Sequence, residues 1–227
     1  MELPADLGLT EYDSTLLQTH WRQVQAASAR FNLTAVNDEE AAEKHYRDCL
    51  AARGVLADLP EGTRVLDLGS GAGFPGLVLA AVFPALSFTL LDATAKKCDF
   101  LRDSAAVMGL SNAEVLCGRA EDVGRGDLRE SFDLVTARAV ASLRELIELA
   151  LPLLKAGGSL LAYKGANYQT EIDEAARALS ELCGEVRSVT EYALAGGDRR
   201  ALVTVRKLAP APDKYPRRPG MPHKRPL

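Results

Sequence analysis

Three glycines at alternate positions, Gly69, Gly71 and Gly73, follow the apolar run Val65 to Leu68 and share a segment with Ser70, Phe74 and Pro75. Lacking a Cβ, such glycines take positive φ and let a ligand lie against the backbone. Pro75 suits a first helical turn, where its missing N–H costs nothing, and Leu77 to Phe83 read as a buried helix that Pro84 stops. Strand, glycine turn and helix in that order make a nucleotide cradle. Dinucleotide sites space their glycines G-x-G-x-x-G so that a pyrophosphate meets the helix N-terminus, but the spacing here is G-x-G-x-G. Asp67 would repel a pyrophosphate and would suit a cationic ligand group such as an amino-acid ammonium. These features favour S-adenosyl-L-methionine, the alternative being a tight turn without a ligand.

Asp92 ends the next apolar run, 23 residues after Gly69 (92 − 69). A carboxylate there accepts both hydroxyls of a ribose; capping the next helix is the plainer role, one that Thr94 could also fill. Gly118-Arg119-Ala120-Glu121-Asp122 passes the expected adenine site, where a backbone amide and one acid would read the adenine edge, unless it is only a charged loop. Further on stands Thr136-Ala137-Arg138-Ala139-Val140, where amino-methylating enzymes of such a fold place Asn or Asp followed by prolines. Arg138 only donates hydrogen bonds. A ring nitrogen such as guanine N7 exposes a lone pair and attacks a sulfonium methyl with no general base. Catalysis is then positioning and field, with no acid or base, and Arg138 and Lys164 at consecutive strand ends are the candidate donors to guanine O6 or phosphate. Salt bridges at the sheet edge are the competing role for both. His45 and Asp48, near one turn apart, read first as a helix-surface hydrogen-bonded pair.

The elements that must hold these residues alternate. Strands are expected at Val65–Leu68, Ser87–Leu91, Ala113–Cys117, Phe132–Ala137 and Ser159–Tyr163, with helices between them at Leu77–Phe83, Ala95–Met108 and Ser142–Leu154, the last broken into by Pro152. A helix from Tyr168 to Cys183 leads to two strand-like runs, Glu185 to Leu194 and Arg200 to Leu208, joined by Ala195-Gly196-Gly197-Asp198, which must pair antiparallel. The fold class is therefore α/β: a doubly wound, mostly parallel seven-stranded Rossmann-like sheet with a C-terminal antiparallel hairpin, the shape of S-adenosylmethionine-dependent methyltransferases. Before it, Thr10 with Asp13 resembles a capping box, and Tyr12, Leu16, Trp21, Val24, Ser28 and Phe31 follow at helical spacing. A second helix should run from Asn37 or Asp38 to about Arg53. The expected organisation is an N-terminal helical extension over 1–60, a methyltransferase core over 61–208 and a basic, proline-rich tail over 209–227 that forms no regular element.

With 47% hydrophobic residues in 227, the chain can bury a full core. No apolar run reaches the ~18 residues of a membrane span, and the start lacks a basic segment followed by an apolar one, so a cytoplasmic protein without membrane association is expected. Cys49, Cys98, Cys117 and Cys183 are far apart without a C-x-x-C pair, which suits small core residues and no metal. The net charge of −4 hides an asymmetry: residues 206–227 carry seven Lys/Arg against Asp213, a balance of +6, and residues 1–205 therefore sum to −10. Nucleic-acid affinity must come from local patches. Tyr215, Arg217, Arg218, His223, Lys224 and Arg225 mix stacking and cationic groups in that tail, which suits RNA loops and phosphates unless the tail is merely solvated.

Together these motifs resemble the bacterial glucose-inhibited division protein B family, the small-subunit ribosomal RNA guanine-N7 methyltransferases. The resemblance rests on Asn32-Leu33-Thr34, His45 with Asp48, the segment from Asp67 to Gly76, Asp92 with Lys96-Lys97, Arg138-Ala139-Val140, Lys164-Gly165 and Tyr215-Pro216-Arg217-Arg218. It implies S-adenosyl-L-methionine as cofactor and small-subunit (16S) ribosomal RNA or the ribosomal subunit as partner; a monomer is expected, although the residues themselves do not fix the oligomeric state. It puts Gly69, Phe74, Asp92, Ala93, Thr94, Ala120, Glu121 and Arg138 on cofactor-contacting positions, beside Ser70, Gly71 and Gly73 of the turn. Whether Arg138 meets cofactor, guanine or both stays open. The family has Ser after the H-x-x-D aspartate where this chain has Cys49, which argues against a nucleophile there. A small-molecule methyltransferase and a cofactor-bound RNA-binding protein without turnover are the alternatives.

Overall fold

The strand Arg64–Leu68 (β1) is buried from Val65 onward because its alternating side chains enter two different helical layers. In the computed structural model, which describes residues 1–29 and 33–227, β1 pairs in parallel with Ser87–Asp92 (β2) and with Phe132–Arg138 (β4). Ala113–Cys117 (β3) pairs in parallel with β2, and Leu154–Gly165 (β5) with β4. Gly184–Ala193 (β6) and Arg199–Lys207 (β7) form the antiparallel hairpin, and β7 inserts beside β5. The resulting order, β3-β2-β1-β4-β5-β7-β6, reverses direction between β1 and β4. An α/β sheet opens its binding crevice at that switch, beyond the carboxyl ends of the strands. The doubly wound, mostly parallel sheet with its terminal hairpin is as the alternation predicts.

One layer joins the N-terminal helices to the sheet. Leu17, Trp21 and Tyr46 share a buried cluster with Val65, Leu77, Phe88 and Leu101. Thr10 and Asp13 form the expected capping box at the start of the helix Glu11–Ser28; Phe31 and Asn32 lie outside the described residues. On the other face the helix Leu143–Ala150 packs with Leu66, Val135 and Leu160, and with Ala211, Tyr215 and Leu227 from the tail.

Several boundaries differ from expectation. The second helix is an α turn Asp38–Ala41, a π turn Ala42–Arg47 and an α turn Asp48–Leu50, with Arg53–Ala57 as a separate piece. β5 begins at Leu154, since a register shift between Phe132 and Leu134 absorbs the glycine-containing stretch before Ser159. The expected helix to Cys183 divides into Tyr168–Glu174 and Ala176–Glu181. The tail forms a short helix, Met221–Lys224, with Pro222 in the first turn, where its lack of an N–H is harmless. Cys49 and Cys98 are core residues, but Cys117 is exposed at the end of the edge strand β3 and Cys183 is half-buried. Among the described residues no helix is long and apolar enough to cross a membrane.

The helix Gly76–Val82 approaches the sheet so closely that a Cβ on Gly76 would sit 2.3 Å from Leu90 Cδ2 and 2.5 Å from Asp67 Oδ2. Gly76→Ala is therefore expected to cost about 1–3 kcal/mol of stability through overpacking. Urea unfolding checks this, and an unchanged midpoint would mean that the helix can move away freely.

Candidate active site

The glycine turn is shaped from below. Gly69 and Ser70 donate their N–H groups to Leu91 O, which ties the turn to the end of β2. Gly69 has φ +74°, and a Cβ there would meet Val140 Cγ2 at 2.7 Å, so the residue after Arg138-Ala139 packs directly on the turn. Asp67 does not face a ligand, as its charge had implied. It is fully buried, its Oδ1 accepts from Thr136 Oγ1 at 2.9 Å and its Oδ2 from Gly76 N at 3.0 Å, so the carboxylate fastens helix to strand. His20, unremarked in the sequence, braces the turn from the N-terminal helix. Its Nε2 bonds Ala72 O at 2.8 Å and its Nδ1 lies 3.1 Å from Tyr46 Oη. A carbonyl only accepts, so Nε2 carries the proton and Nδ1 accepts from the tyrosine. Burial pushes this imidazole down to about 4, which keeps it neutral.

Above the turn lies a crevice of about 490 Å³, a fitting volume for a nucleoside-sized ligand. Gly69, Asp92, Ala93, Ala120 and Glu121 line it together. Asp92 Oδ2 accepts from Gly71 N at 3.0 Å and Oδ1 from Thr94 N at 2.8 Å. Each carboxylate oxygen has a second lone pair, so the clamp that holds the acid still leaves it able to receive two ribose hydroxyls. Thr94 makes no side-chain cap, and Ser70 Oγ turns inward to Asp67 O at 3.0 Å. Ser70, Gly71, Gly73, Phe74 and Thr94 therefore shape the cradle from behind its lining. Val140, Glu145, Leu149, Gly220, His223 and Lys224 also line the crevice.

Arg138 belongs to a second cavity of about 380 Å³, shared with Val36, Lys44, His45, Asp48 and Lys164. Its Nη1 donates to Asp48 Oδ2 at 2.8 Å and to Lys44 O at 2.9 Å, and its Nη2 to His45 Nδ1 at 3.0 Å. His45 Nε2–H therefore donates to Thr34 Oγ1, 2.8 Å away. Burial, with the Arg138 charge second, brings His45 down to about 3 and keeps it neutral. His45 and Asp48 thus hold Arg138 rather than each other, which corrects the helix-surface reading. The π turn removes a competing donor from the Lys44 carbonyl. The Asp48 N–H reaches Glu43 O, whereas in a regular α-helix it would take the Lys44 carbonyl that Arg138 uses here. Phe74 lies at the seam, stacked on His45 with centroids 4.2 Å apart and with the Arg138 guanidinium 5.3 Å from its centre. Arg138 Nε is a buried donor without a partner among the described residues. Ala139, the next residue, has φ +56°, an uncommon conformation at a non-glycine position that turns the chain between the two cavities.

The expected RNA contacts divide. Lys164 is buried, its Nζ donating to Ala141 O and Glu171 Oε2, both at 2.7 Å, so it pins the loop after β4. Tyr215 is buried with its hydroxyl on Glu181 at 3.0 Å, and Arg217 Nε is 2.8 Å from Glu148 Oε1. Both point into the protein because acidic partners on distant elements claim them. Arg218, His223, Lys224 and Arg225 remain exposed.

A family model described as rRNA small subunit methyltransferase G matches residues 13–203. A ribosomal RNA small subunit methyltransferase G from Syntrophomonas wolfei is 48% identical over 82% of this chain and 86% of its own. One from Leuconostoc citreum is 39% identical over 98% of this chain and 95% of its own. Among solved structures, M. jannaschii TYW2 in complex with AdoMet is similar in fold, with a TM-score of 0.57 at 14% identity over 74% of this chain and 80% of that one.

Burial raises the Asp67 carboxyl from 3.8 to about 6, despite the hydrogen bonds that oppose the shift. Between about pH 4 and 6 the folded chain retains a proton that the unfolded chain has released, so this group's contribution to stability falls as pH rises. Asp67→Asn should remove that fall. The loss of unfolding free energy between pH 4 and pH 7 should shrink by about 2 kcal/mol relative to the parent. Denaturant titrations at both pH values check it; parallel losses in parent and variant would refute the assignment.

Proposed function

The chain belongs to the rRNA small subunit methyltransferase G family, and from that premise we propose that it transfers a methyl group from S-adenosyl-L-methionine to N7 of a guanine in 16S ribosomal RNA. The observation that most directly supports N7 is the state of the acid–base groups around the second cavity. Asp48 Oδ2 is taken by Arg138 and its Oδ1 by Tyr192 Oη at 2.6 Å. Both nitrogens of neutral His45 are engaged, and the Tyr163 hydroxyl donates to Cys49 O at 2.7 Å. Burial raises both tyrosines, Tyr163 and Tyr192, above the ordinary tyrosine range. An exocyclic amine would need a base to take its proton, whereas a ring nitrogen would not.

In this reading Asp92 receives the ribose hydroxyls, Gly69 and Ala93 border the sugar, and Ala120 with Glu121 meets the adenine side. When bound, S-adenosyl-L-methionine supplies an electrophilic sulfonium methyl. The chain's own contribution is orientation. Arg138 is fixed through both terminal nitrogens, and the second Nη2 hydrogen, which these bonds do not use, is the donor we assign to guanine O6, leaving N7 open to attack. Lys164 acts behind it by fixing the loop from Ala139 to Leu143, since Glu171 also accepts from Leu143 N at 2.7 Å. Exposed Arg119, Arg218, Lys224 and Arg225 suit phosphates near the crevice mouth. The major groove of an A-form helix is too deep and narrow for side chains, so the target guanine is an unstacked base in a loop or bulge. In this reading the protein acts as a monomer.

Labelled methyl transfer to small ribosomal subunits and to deproteinised 16S RNA, followed by mapping through N7-specific strand cleavage, tests the reaction. One guanine labelled at N7 is expected; label on an amine or a ribose would overturn the reading. Asp48→Asn should lower kcat/KM by about tenfold or more, equivalent to about 1.4 kcal/mol or more, by loosening Arg138. Unchanged kinetics would remove the ion pair from the mechanism.

A further inference from the structure

We propose that residues 215–224 form the outer wall of the nucleoside end of the cofactor crevice, and that Arg217, acting through Glu148, is a positioning residue for the cofactor. This rests on the crevice over the glycine turn being the S-adenosyl-L-methionine site. Glu148 lies on the helix Leu143–Ala150 with no exposed surface, where an unpaired carboxylate would be costly. Among the described residues the tail alone satisfies it: Arg217 N donates to Oε1 at 2.9 Å, Arg217 Nε to Oε1 at 2.8 Å, and Arg217 Nη2 to Oε2. On the same helix, Glu145 and Leu149 line the crevice. The ion pair thus joins the tail to one side of the site.

Three residues later the tail grips the opposite side. Gly220 N donates to Glu121 Oε1 at 2.8 Å, and a φ of +80° at Gly220 turns the chain so that His223 and Lys224 also face the crevice. Arg217 Nη2 closes this loop by donating to Arg225 O at 2.8 Å. Upstream the segment is tied down by Arg125 Nε on Pro216 O at 2.6 Å and Arg129 Nη1 on Tyr215 O at 2.7 Å. A flexible RNA arm would have free side chains and a solvated backbone. Here the backbone is anchored at Tyr215, Pro216, Arg217 and Gly220, and the last of these anchors lies on Glu121, the acid assigned to the adenine side.

The test measures S-adenosylhomocysteine affinity by calorimetry and the affinity of a labelled guanine-containing RNA loop by fluorescence. It compares the full chain, the paired variant Arg217→Met/Glu148→Leu, and a chain ending after Arg218. The pair replaces a buried ion pair by apolar groups and so avoids an unpaired charge. The shortened chain keeps the ion pair and removes the wall beyond it, together with Leu227 and the Arg225 carbonyl. Both should weaken S-adenosylhomocysteine by about tenfold or more, with cooperative unfolding retained and a smaller effect of the paired variant on RNA. Arg217→Lys should recover part of the affinity. Parent-like S-adenosylhomocysteine binding in both variants would overturn the proposal while leaving the crevice assignment intact, as would loss of RNA affinity alone. No S-adenosylhomocysteine binding by the full chain would remove the crevice assignment, and this proposal with it.

Discussion

A guanidinium cannot shed its charge, so burying Arg138 at the end of β4 obliges the protein to surround it with acceptors. They all come from one segment far upstream: the Lys44 carbonyl, His45 Nδ1 and the Asp48 carboxylate. Breaking a buried pair by removing one member costs about 3–5 kcal/mol, which makes this constraint strong enough to dictate how the N-terminal helices sit. They are one wall of the second cavity, and the widened turn that frees the Lys44 carbonyl belongs to the same arrangement.

Asp67 and Asp92 offer the same signal, an acid on a short apolar strand beside the glycines, yet they have opposite fates. Asp67 sits within β1, enclosed by the helix Gly76–Val82 and by Thr136, and spends its oxygens on packing. Asp92 is the last residue of β2, where the strand opens, and its two backbone donors aim it outward at the crevice. Asp67 lies opposite Leu90, so Asp92 stands two residues further along the sheet, and that displacement separates a structural carboxylate from a crevice-facing one.

The sheet, the glycine turn and the crevice group of Gly69, Asp92, Ala93, Ala120 and Glu121 were legible because each depends on a pattern within a few residues. Periodicity marked the strands, glycine spacing marked the turn, and the parallel alternation placed the loops on one edge. The tail was not legible. Arg217 and Tyr215 look like an RNA arm until Glu148 and Glu181, 69 and 34 residues away, are brought against them. For Lys164 the competing role, a salt bridge, is the one observed: Glu171 on the helix after β5 takes its charge. A cation's role depends on its partner, and partners distant in sequence leave no local trace. His20 had no signal beyond a place on an apolar helical face, and that pattern fits an ordinary core residue equally well.

The hairpin leaves β6 at one margin of the sheet and β3 at the other. β6 exposes Glu185, Arg187 and Glu191, and its pairing with β7 slips between Val186 and Ser188. Charge and a bulge at an unpaired margin deter the addition of a foreign strand. At that margin the ladder of hydrogen bonds is poorly disposed to continue into a second molecule.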